Sequence, residues 1–455
     1  MAVWSIVKVS ELEGAKRLDA EYYKPEYLRI QSLKKLPGDL LKNVAECFSG
    51  FAFPSEEFSS SGVLPVVKMT QILGDGFVDL LGSEYISADY YNKNKSACTK
   101  FAAKRYDVVV ALTGATIGKS GVILEDALLN QRVLLCRAKR ISKGQLWALL
   151  VSDIFKNFIV RGALGGSQPN VSPNYAISFY VPFIDHQIAD EIENLTQQAI
   201  PLVESSRSLY MQAEQMVLKE VGWHKLDLSQ PKWWAVPLSR AREVHRLDAE
   251  HFQPKYDKLI AHLKKTGRAK PLGEIAQFIN HGPQPPYSDA HEIPIITQRH
   301  MGRYLLNFDS PEEFTTKAFW ESKKRFQIQE KDVLFYSVGA YLGRTNLFLS
   351  GKPAMAGSYI TIIRPNLKAC LPEYLAVYLN AMPGQMQSDK HSRASGQQYI
   401  YPLDIAQFSI YLPSEKIQQQ IADLVQQSYQ ARQKAKSLLE EAKAKVEALI
   451  EGTGA

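Results

Sequence analysis

A chain of 455 residues is longer than one hydrophobic core usually supports, so two or more domains are expected. Hydrophobic residues make up 45% of the sequence and charged residues 22%, which excludes a disordered or low-complexity chain. The net charge of +7 is a modest basic excess, which permits an acidic partner such as DNA without requiring one.

The cysteines and the hydropathy pattern indicate a cytoplasmic setting. Cys47, Cys98, Cys136 and Cys370 form no C-x-x-C pair and have no zinc-like spacing with histidine, so we expect reduced, structural thiols. No stretch approaches the roughly 20 apolar residues of a membrane span, and MAVWSIVKVSELEGAKR lacks the apolar core of a signal peptide. We therefore predict a soluble protein.

In chain order, the first distinctive segment is RLDAEYYKP at 17–25, which recurs as RLDAEHFQP 229 positions later. Further segments recur in the same order, so the chain is a tandem duplication of about 230 residues. The residues between these segments differ almost completely, so the two copies share a scaffold and have diverged in what it presents. The later recurring pairs, in the same order, are GVLPVVKMTQI with HEIPIITQRHM, DVVVALTGATIGKS with DVLFYSVGAYLGRT, GGSQPN with SGQQYI, and QIAD with QIAD.

The first part of each copy is a mixture of strands and helices. Short β-rich runs such as YDVVVAL (106–112) and DVLFYSV (332–338) lie between Gly, Pro and Asn turns, and helical stretches separate them. This pattern predicts a mixed α/β or α+β domain. Near the start of the copies, FSGFAFPSEEF (48–58) has no clear partner, and INHGPQPPYSD (279–289) stands in its place.

Each copy ends in a helix with a heptad seam, in which small or apolar residues recur at steps of four and three. Pro201 is expected to kink the first helix or to mark its start. The two helices are expected to pair antiparallel as a spacer of roughly 45 Å, although each could instead pack only on its own domain. The predicted seams are Ile188, Ile192, Leu195, Ala199, Leu202, Ser206, Leu209, Ala213 and Met216, and Ile421, Leu424, Ser428, Ala431, Ala435, Leu438, Ala442, Lys445 and Leu449, where Lys445 fits poorly.

The repeat predicts four segments along the chain. These are a first variable domain at 1–183, a central helix and linker at 184–230, a second variable domain at 231–413 and a C-terminal helix at 414–455. Two such domains would be related by a pseudo-twofold axis if they pack together.

Two motifs suggest chemistry that the spacing does not support. GATIGKS (114–120) has three residues between glycine and Gly-Lys where a phosphate-binding P-loop needs four, and the second copy keeps this spacing, so we interpret it as a tight turn. QPPY (284–287) and SPNY (172–175) resemble the loop of amino-methyltransferases, but no dinucleotide-type βαβ unit precedes either. We find no catalytic constellation in the sequence.

The arrangement resembles the specificity subunit (S, HsdS) of type I restriction–modification systems over essentially the whole chain. The segments that carry the resemblance are both RLDAE motifs, LPVVKMTQI and IPIITQRHM, the repeated D-V-x5-G-A-x2-G-[KR] element, the Gly/Gln turns GGSQPN and SGQQYI, and the two helix starts that contain QIAD. No single segment is specific, but their order, present twice, is.

The resemblance implies a non-catalytic subunit with two target recognition domains and an antiparallel coiled coil. Each domain would read one half of a gapped, asymmetric site in double-stranded DNA. The helices would dock two modification subunits, which use S-adenosylmethionine, and restriction subunits using ATP and Mg²⁺ would join through them, so this chain would bind no cofactor. The alternatives are the specificity subunit of a type IIB-like restriction enzyme and a duplicated protein-binding adaptor.

Candidate DNA contacts lie in loops of the recurring segments, where Lys and Arg could bind phosphates and Asn and Gln could read base edges. A scaffold role stays open for each, most clearly for Gln168 and Gln398 in matching turns. The candidates are Lys68, Thr70, Gln71, Lys119, Ser120, Gln168 and Asn170 in the first copy, and Thr297, Gln298, Arg299, Arg344, Thr345, Gln397 and Gln398 in the second.

Overall fold

The computed structural model describes residues 6–10, 19–163, 169–308, 311, 313–393 and 396–451. The chain divides into two compact units. Unit 1 comprises Met1–Glu204 with Ala431–Ala455, and unit 2 comprises Ser205–Gln430. Each unit therefore contains one variable domain and part of each of two long helices.

Unit 1 is built around a five-stranded sheet of order β2-β11-β8-β9-β5 and a three-stranded sheet of order β4-β10-β7, with the two-stranded pairs β1-β12 and β3-β6. Its described strands are β1 (Gly38–Leu40), β2 (Ala45–Ser49), β3 (Phe58–Ser59), β4 (Val66–Val67), β5 (Gly76–Phe77), β6 (Tyr85–Ile86), β7 (Ala102–Ala103), β8 (Val108–Ala111), β9 (Ser120–Val122), β10 (Ala127–Leu129), β11 (Val133–Ala138) and β12 (Tyr180–Pro182). The α-helices are α1 (Pro25–Leu28), α2 (Leu41–Val44), α3 (Ala88–Lys93), α4 (Lys95–Lys100), α5 (Lys143–Leu150), α6 (Asp153–Arg161), α7 (Pro173–Ala176) and the start of α8 (His186–Val221).

Unit 2 contains a four-stranded sheet of order β14-β20-β17-β18, a three-stranded sheet of order β16-β15-β19 and the pair β13-β21. Its described strands are β13 (Ala269–Pro271), β14 (Ala276–His281), β15 (Ile293–Ile296), β16 (Phe314–Thr315), β17 (Val333–Tyr336), β18 (Thr345–Leu347), β19 (Met355–Ala356), β20 (Ile360–Pro365) and β21 (Ser409–Tyr411). The α-helices, after the end of α8, are α9 (Leu238–Glu243), α10 (Pro254–Lys265), α11 (Leu272–Ile275), α12 (Lys317–Ser322), α13 (Pro372–Asn380), α14 (Met382–His391), α15 (Pro402–Ala406) and α16 (Glu415–Glu451).

The two units share one topology. The order β2-β11-β8-β9 corresponds to β14-β20-β17-β18, and β4 runs parallel to β10 as β15 runs parallel to β19. All four residues of β8 and of β17 are buried, which explains why these runs are apolar throughout rather than alternating. The predicted mixed α/β fold and its internal duplication are confirmed.

The repeated glycines form a tight turn, as the spacing predicted. Gly114 and Gly118 in the first copy have φ of 70° and 78°, and Gly339 and Gly343 in the second have φ of 120° and 89°. This left-handed region is costly for residues with a Cβ, so glycine is required between β8 and β9 and between β17 and β18.

A buried ion pair explains the aspartate of the repeated D-V element. The Arg137 guanidinium donates from Nε and Nη2 to the Asp107 carboxylate at 3.0 and 2.6 Å. Arg364 binds Asp332 in the same bidentate way, with both distances at 2.7 Å. In each copy the pair ties the strand after the aspartate to its neighbour in the sheet, because Arg137 lies on β11 and Arg364 lies on β20.

The RLDAE motif fastens the start of each copy to the end of a helix. Arg246, which is 8% exposed, donates to the carbonyls of His391 and Ser392 at 3.2 and 2.6 Å, where α14 ends. In the first copy, Arg161 at the end of α6 donates from Nε to the Tyr22 carbonyl at 3.0 Å. The first two residues of RLDAEYYKP lie outside the described residues. The motif thus has a role in the scaffold.

Near the start of each copy, the structural correspondence between the copies extends further than the sequences indicated. The Gly50 N–H donates to the Val133 carbonyl at 3.1 Å after β2, and the Gly282 N–H donates to the Ile360 carbonyl at 2.8 Å after β14. A Cβ at Gly50 or Gly282 would lie 2.3 Å from a backbone oxygen. FSG therefore matches NHG, and the divergence begins only after this glycine.

The long helices α8 and α16 pair antiparallel, as predicted. Within each unit, the helical segments that belong to it also pack on the variable domain of that unit. In unit 1, Lys445 Nζ lies 2.7 Å from Glu191 Oε2, and in unit 2 the Ser428 hydroxyl donates to the Ser206 carbonyl at 2.7 Å. Residue numbers on α16 therefore decrease as those of their contact partners on α8 increase, which is the antiparallel arrangement. Pro201 is exposed within a continuous α8, so it does not mark the start of the helix.

The phase of the seam differs from the predicted one at every second position. Ile192, Ala199, Ala435 and Ala442 are buried as expected, but the alternate positions are one residue later, so Val446 replaces the poorly fitting Lys445. Because each helix faces both its partner helix and a domain, the apolar stripe is wider than a two-position seam. The buried residues at the corrected positions are Thr196, Val203, Tyr210 and Val217 on α8, and Val425, Leu439 and Val446 on α16.

Candidate nucleic-acid interface

In unit 1, three segments that carry candidate residues meet beside the β8–β9 turn. The Thr113 hydroxyl contacts the sulfur of Met69, in the short helix of the first segment, at 2.6 Å. The Gly114 N–H donates to the Pro169 carbonyl at 2.9 Å, and Thr113 forms a β-bridge with Asn170. The fold therefore brings together loops that lie far apart in the sequence.

Unit 2 repeats this convergence beside the β17–β18 turn. The Arg344 guanidinium donates to the Met301 carbonyl at 3.4 Å, next to the short helix that carries two further candidates. The Gly339 N–H donates to the Gln398 carbonyl at 2.8 Å, as Gly114 does to Pro169 in the first copy. The same backbone contacts thus present different side chains in the two units.

The candidates of unit 1 differ in how freely they could meet DNA. Lys68 forms an ion pair with Glu84, and its ammonium group lies 3.9 Å from the Phe58 ring centroid. The Gln71 side chain accepts the Lys68 N–H at 2.7 Å, so it caps its own short helix. Thr70 and Asn170 are exposed, Lys119 is half-buried, Ser120 is buried, and Gln168 lies outside the described residues.

In unit 2 the exposed candidates are mostly glutamines. Arg299 Nη1 lies 3.6 Å from Glu313, and the Arg344 guanidinium stacks 3.6 Å from the Tyr341 ring centroid. These contacts hold both cations in defined places while leaving part of each accessible. Gln298, Gln397 and Gln398 are exposed, and Thr297 and Thr345 are buried.

Three candidates point inward. The exposed fractions of Ser120, Thr297 and Thr345 are 4%, 7% and 0%. The Thr345 hydroxyl donates to the Gly343 carbonyl at 3.0 Å, inside the turn that it follows. These hydroxyl groups are placed to stabilise the scaffold, so we do not expect them to contact DNA.

Sequence reasoning missed a polar cluster on the segment that diverges in the second copy. Ser358 donates to the Gln284 side chain at 2.7 Å, and Thr361 lies 3.0 Å from His281 Nδ1. Burial lowers the pKa of His281. Tyr287 on the same segment is 62% exposed. The available signal was the polar, proline-rich INHGPQPPYSD itself.

Two features are absent from the part of the chain that the structure describes. Among them, no three His, Cys, Asp or Glu side chains lie close enough together to hold a metal ion. Within the same ranges, no helix combines the length and apolar character needed to cross a bilayer.

The second copy of the repeat matches a model of a known protein family. Two duplicated α/β units share a pair of long helices, and polar loops group at equivalent turns of both units. Residues 268–443 match the model described as the type I restriction modification DNA specificity domain. This segment is therefore similar to that family, in agreement with the resemblance inferred from the repeat.

The named relatives are specificity subunits. The specificity subunit of the type I restriction enzyme MjaVIII from Methanocaldococcus jannaschii is 30% identical over 152 residues, which are 31% of this chain and about a third (34%) of that protein. Among solved structures, the S subunit of a type I restriction–modification system from M. genitalium is 13% identical and covers 91% of this chain and 95% of its own, with a TM-score of 0.35. The HsdS subunit from Thermoanaerobacter tengcongensis is 16% identical, with coverages of 91% and 96% and a TM-score of 0.28.

Proposed function

We propose that this chain is the non-catalytic DNA-recognition subunit of a type I restriction–modification complex. Each variable domain reads one half of a gapped site. The two halves have different DNA sequences because the exposed loops of the two domains differ. The observation that carries the proposal is the equivalence of the β8–β9 and β17–β18 turns. There, the same backbone N–H bond is made to Pro169, beside Asn170, in one copy and to Gln398, beside Gln397, in the other.

The side chains suit the readout of base edges. An exposed asparagine or glutamine can form bidentate hydrogen bonds with adenine, and arginine can do so with guanine. Arg299 follows Gln298 in the same short helix, and Arg344 contacts the residue that follows this helix; both are already oriented by neighbouring groups. Orientation before binding lowers the entropic cost of recognition.

The proposed partners are those that the resemblance to type I specificity subunits implies. We propose that the paired helices α8 and α16 dock two modification subunits, and that restriction subunits join through these. S-adenosylmethionine, ATP and Mg²⁺ act in those partner subunits, and this chain contributes DNA sequence recognition.

The experiment that tests the proposal is a methylome. The chain is expressed with its modification subunit, and methyladenine is mapped genome-wide against cells that lack the chain. A gapped, asymmetric motif present only with the chain is the expected result. A stable complex without new methylation would contradict the proposal and favour the protein-binding adaptor.

Variants in unit 2 test the interface itself. Gln298→Ala should relax the sequence preference in one half of the motif only. Unit 2 would lose a base contact to the half that it reads, while unit 1 would still read the other half. Arg299→Ala should weaken binding to the motif and lower the salt dependence by about one counterion. The matched control is Arg268→Ala, an exposed arginine beside β13 and outside the converging segments. An equal loss for both arginine variants would argue against the assigned interface.

A further inference from the structure

Two cysteines face each other across neighbouring strands of unit 1. Cys47 on β2 and Cys136 on β11 are register partners, and their sulfur atoms lie 3.5 Å apart. The Gly50 N–H donates to the Val133 carbonyl, and hydrogen-bonded and non-hydrogen-bonded pairs alternate along antiparallel strands. Cys47 and Cys136 are therefore a non-hydrogen-bonded pair, the type with the shorter Cα separation of about 4.5 Å.

This geometry lies within the range that a disulfide tolerates. Bridged cysteines have Cα atoms about 4.4–6.8 Å apart and sulfur atoms about 2.05 Å apart. The Cα separation of this type of strand pair already meets the first condition. Rotation of the side chains is enough to meet the second, so the backbone of the sheet need not move.

The two thiols differ in access. Cys47 is partly exposed, whereas Cys136 is fully buried in the core of unit 1. The hydrogen bond with Cys47, together with burial, holds the pKa of the Cys136 thiol well above its usual range. An oxidant in solution would therefore meet Cys47 first, and Cys136 would act second from within the core.

The second copy shows that the fold does not need thiols at these positions. Ile279 and Ile363 are register partners at the equivalent place on β14 and β20, and Ile363 is fully buried like Cys136. The cysteine pair is thus a property of unit 1 and not of the shared scaffold.

We propose that Cys47 and Cys136 form a dithiol that closes to a disulfide when it meets a small-molecule disulfide. The Cys47 thiolate attacks one sulfur of oxidised glutathione and releases one glutathione thiolate. Cys136 then gives up its proton and attacks the Cys47 sulfur, which releases the second glutathione. Two protein thiols are oxidised, one glutathione disulfide is reduced, and the two protons end on the two glutathione thiols.

The closed form would fasten an edge strand. β2 is the end strand of the five-stranded sheet, and β11 is its neighbour within that sheet. A covalent link between them restrains β2 and the divergent segment that follows it in unit 1, while unit 2 has no equivalent link. The disulfide would form whether or not the chain binds DNA.

The test uses the full chain in buffers of rising ratio of oxidised to reduced glutathione. After quenching with an alkylating agent and digestion, mass spectrometry should show two of the four cysteines protected together, in a peptide that joins Cys47 to Cys136. Protected cysteines elsewhere, full alkylation at every ratio, or glutathione held stably on Cys47 would each overturn the proposal.

The matched control copies the second unit. Cys47→Ile with Cys136→Ile should fold, because the other copy carries this pair, and should show no protected cysteines. A second measurement needs no variant: phenylarsine oxide, which bridges two neighbouring thiolates, should bind the reduced native chain with one equivalent. Failure of the arsenical to bind would also count against the dithiol.

Discussion

Asp107 and Asp332 occupy the same place in two domains whose surfaces differ, which makes them a paired test of the scaffold. Each carboxylate is buried against an arginine and also accepts a backbone N–H, from Lys104 at 2.7 Å and from Gln329 at 2.8 Å. A buried carboxylate with this many donors has its hydrogen-bonding capacity satisfied, and it orders the turn before its strand. The D-V element is therefore a structural signature rather than a functional one.

Removing either aspartate should destabilise its unit. Asp332→Ala should lower the free energy of unfolding by about 3 kcal/mol, because it leaves the Arg364 guanidinium largely buried without its partner. Asp107→Ala should cost less, about 2 kcal/mol, because the side chain of Arg137 is 33% exposed and that of Arg364 is 20% exposed. Urea denaturation measures both, with exposed Asp289→Ala as the control. Equal stability of Asp332→Ala and the control would contradict this interpretation.

His251 should make the stability of unit 2 depend on pH. Burial lowers the pKa of His251 to about 4, and its Nδ1 lies 2.7 Å from the Lys390 carbonyl, which accepts its proton. In the unfolded chain a histidine titrates near pH 6.5. Between these values the unfolded state binds a proton that the folded state excludes, so stability falls as the pH drops from about 6.5 towards about 4, by on the order of 3 kcal/mol.

The variant His251→Asn isolates this effect. Its amide can donate to the same carbonyl but does not titrate, so the difference in unfolding free energy between the two proteins should change steadily across that window. The measurement is chemical denaturation at a series of pH values. Parallel curves for the two proteins would show that His251 does not titrate differently on folding.

At the level of elements, the two long helices are each shared between the units. Residues of α16 beyond Ala431 pack in unit 1, where Arg432 pairs with Asp75 and Leu439 lies over Gly76. Earlier residues of the same helix pack in unit 2, where Gln426 donates to Glu373 at 3.0 Å. Each unit is thus completed by helical segments from both copies of the repeat.

Neighbouring leucines on α16 test the corrected phase of the seam. Leu439 is 2% exposed, whereas Leu438 is only partly buried at the edge of the same core. Leu439→Ala should destabilise unit 1 by about 3 kcal/mol through lost burial and a cavity, and Leu438→Ala by about 1 kcal/mol. Thermal or urea unfolding measures both. The reverse order would restore the phase predicted from the sequence.

At the level of the whole molecule, the proposed function requires the helix pair to set the gap of the DNA site. A heptad inserted in register into both helices, after Glu204 and before Ala431, adds about 10 Å of helix and preserves the seam. Because base pairs are spaced by about 3.4 Å, the gap in the methylated motif should lengthen by about three base pairs.

The control for this prediction is the same insertion in α8 alone, which disrupts the pairing and should abolish methylation. Both variants are assessed by mapping methyladenine. A motif with an unchanged gap in the double insertion would show that the helices do not set the spacing.

The sequence by itself determined the duplication, the mixed α/β class and the hairpin glycines. A tandem repeat contains its own comparison, so the residues that recur, such as Asp107 and Gly114, are those that the backbone requires. Their roles are local, a turn with positive φ or a pair between neighbouring strands, and local geometry can be inferred from spacing.

Only the tertiary structure decided which parts of each helix complete which unit, which phase of the seam is buried and which candidates are exposed. Leu439 rather than Leu438 is buried because a domain distant in sequence covers that face of α16. Ser120 and Thr345 follow the same turn as Lys119 and Arg344, yet their side chains point inward because strands alternate their faces. Such outcomes depend on contacts between residues far apart in the chain, which no local pattern records.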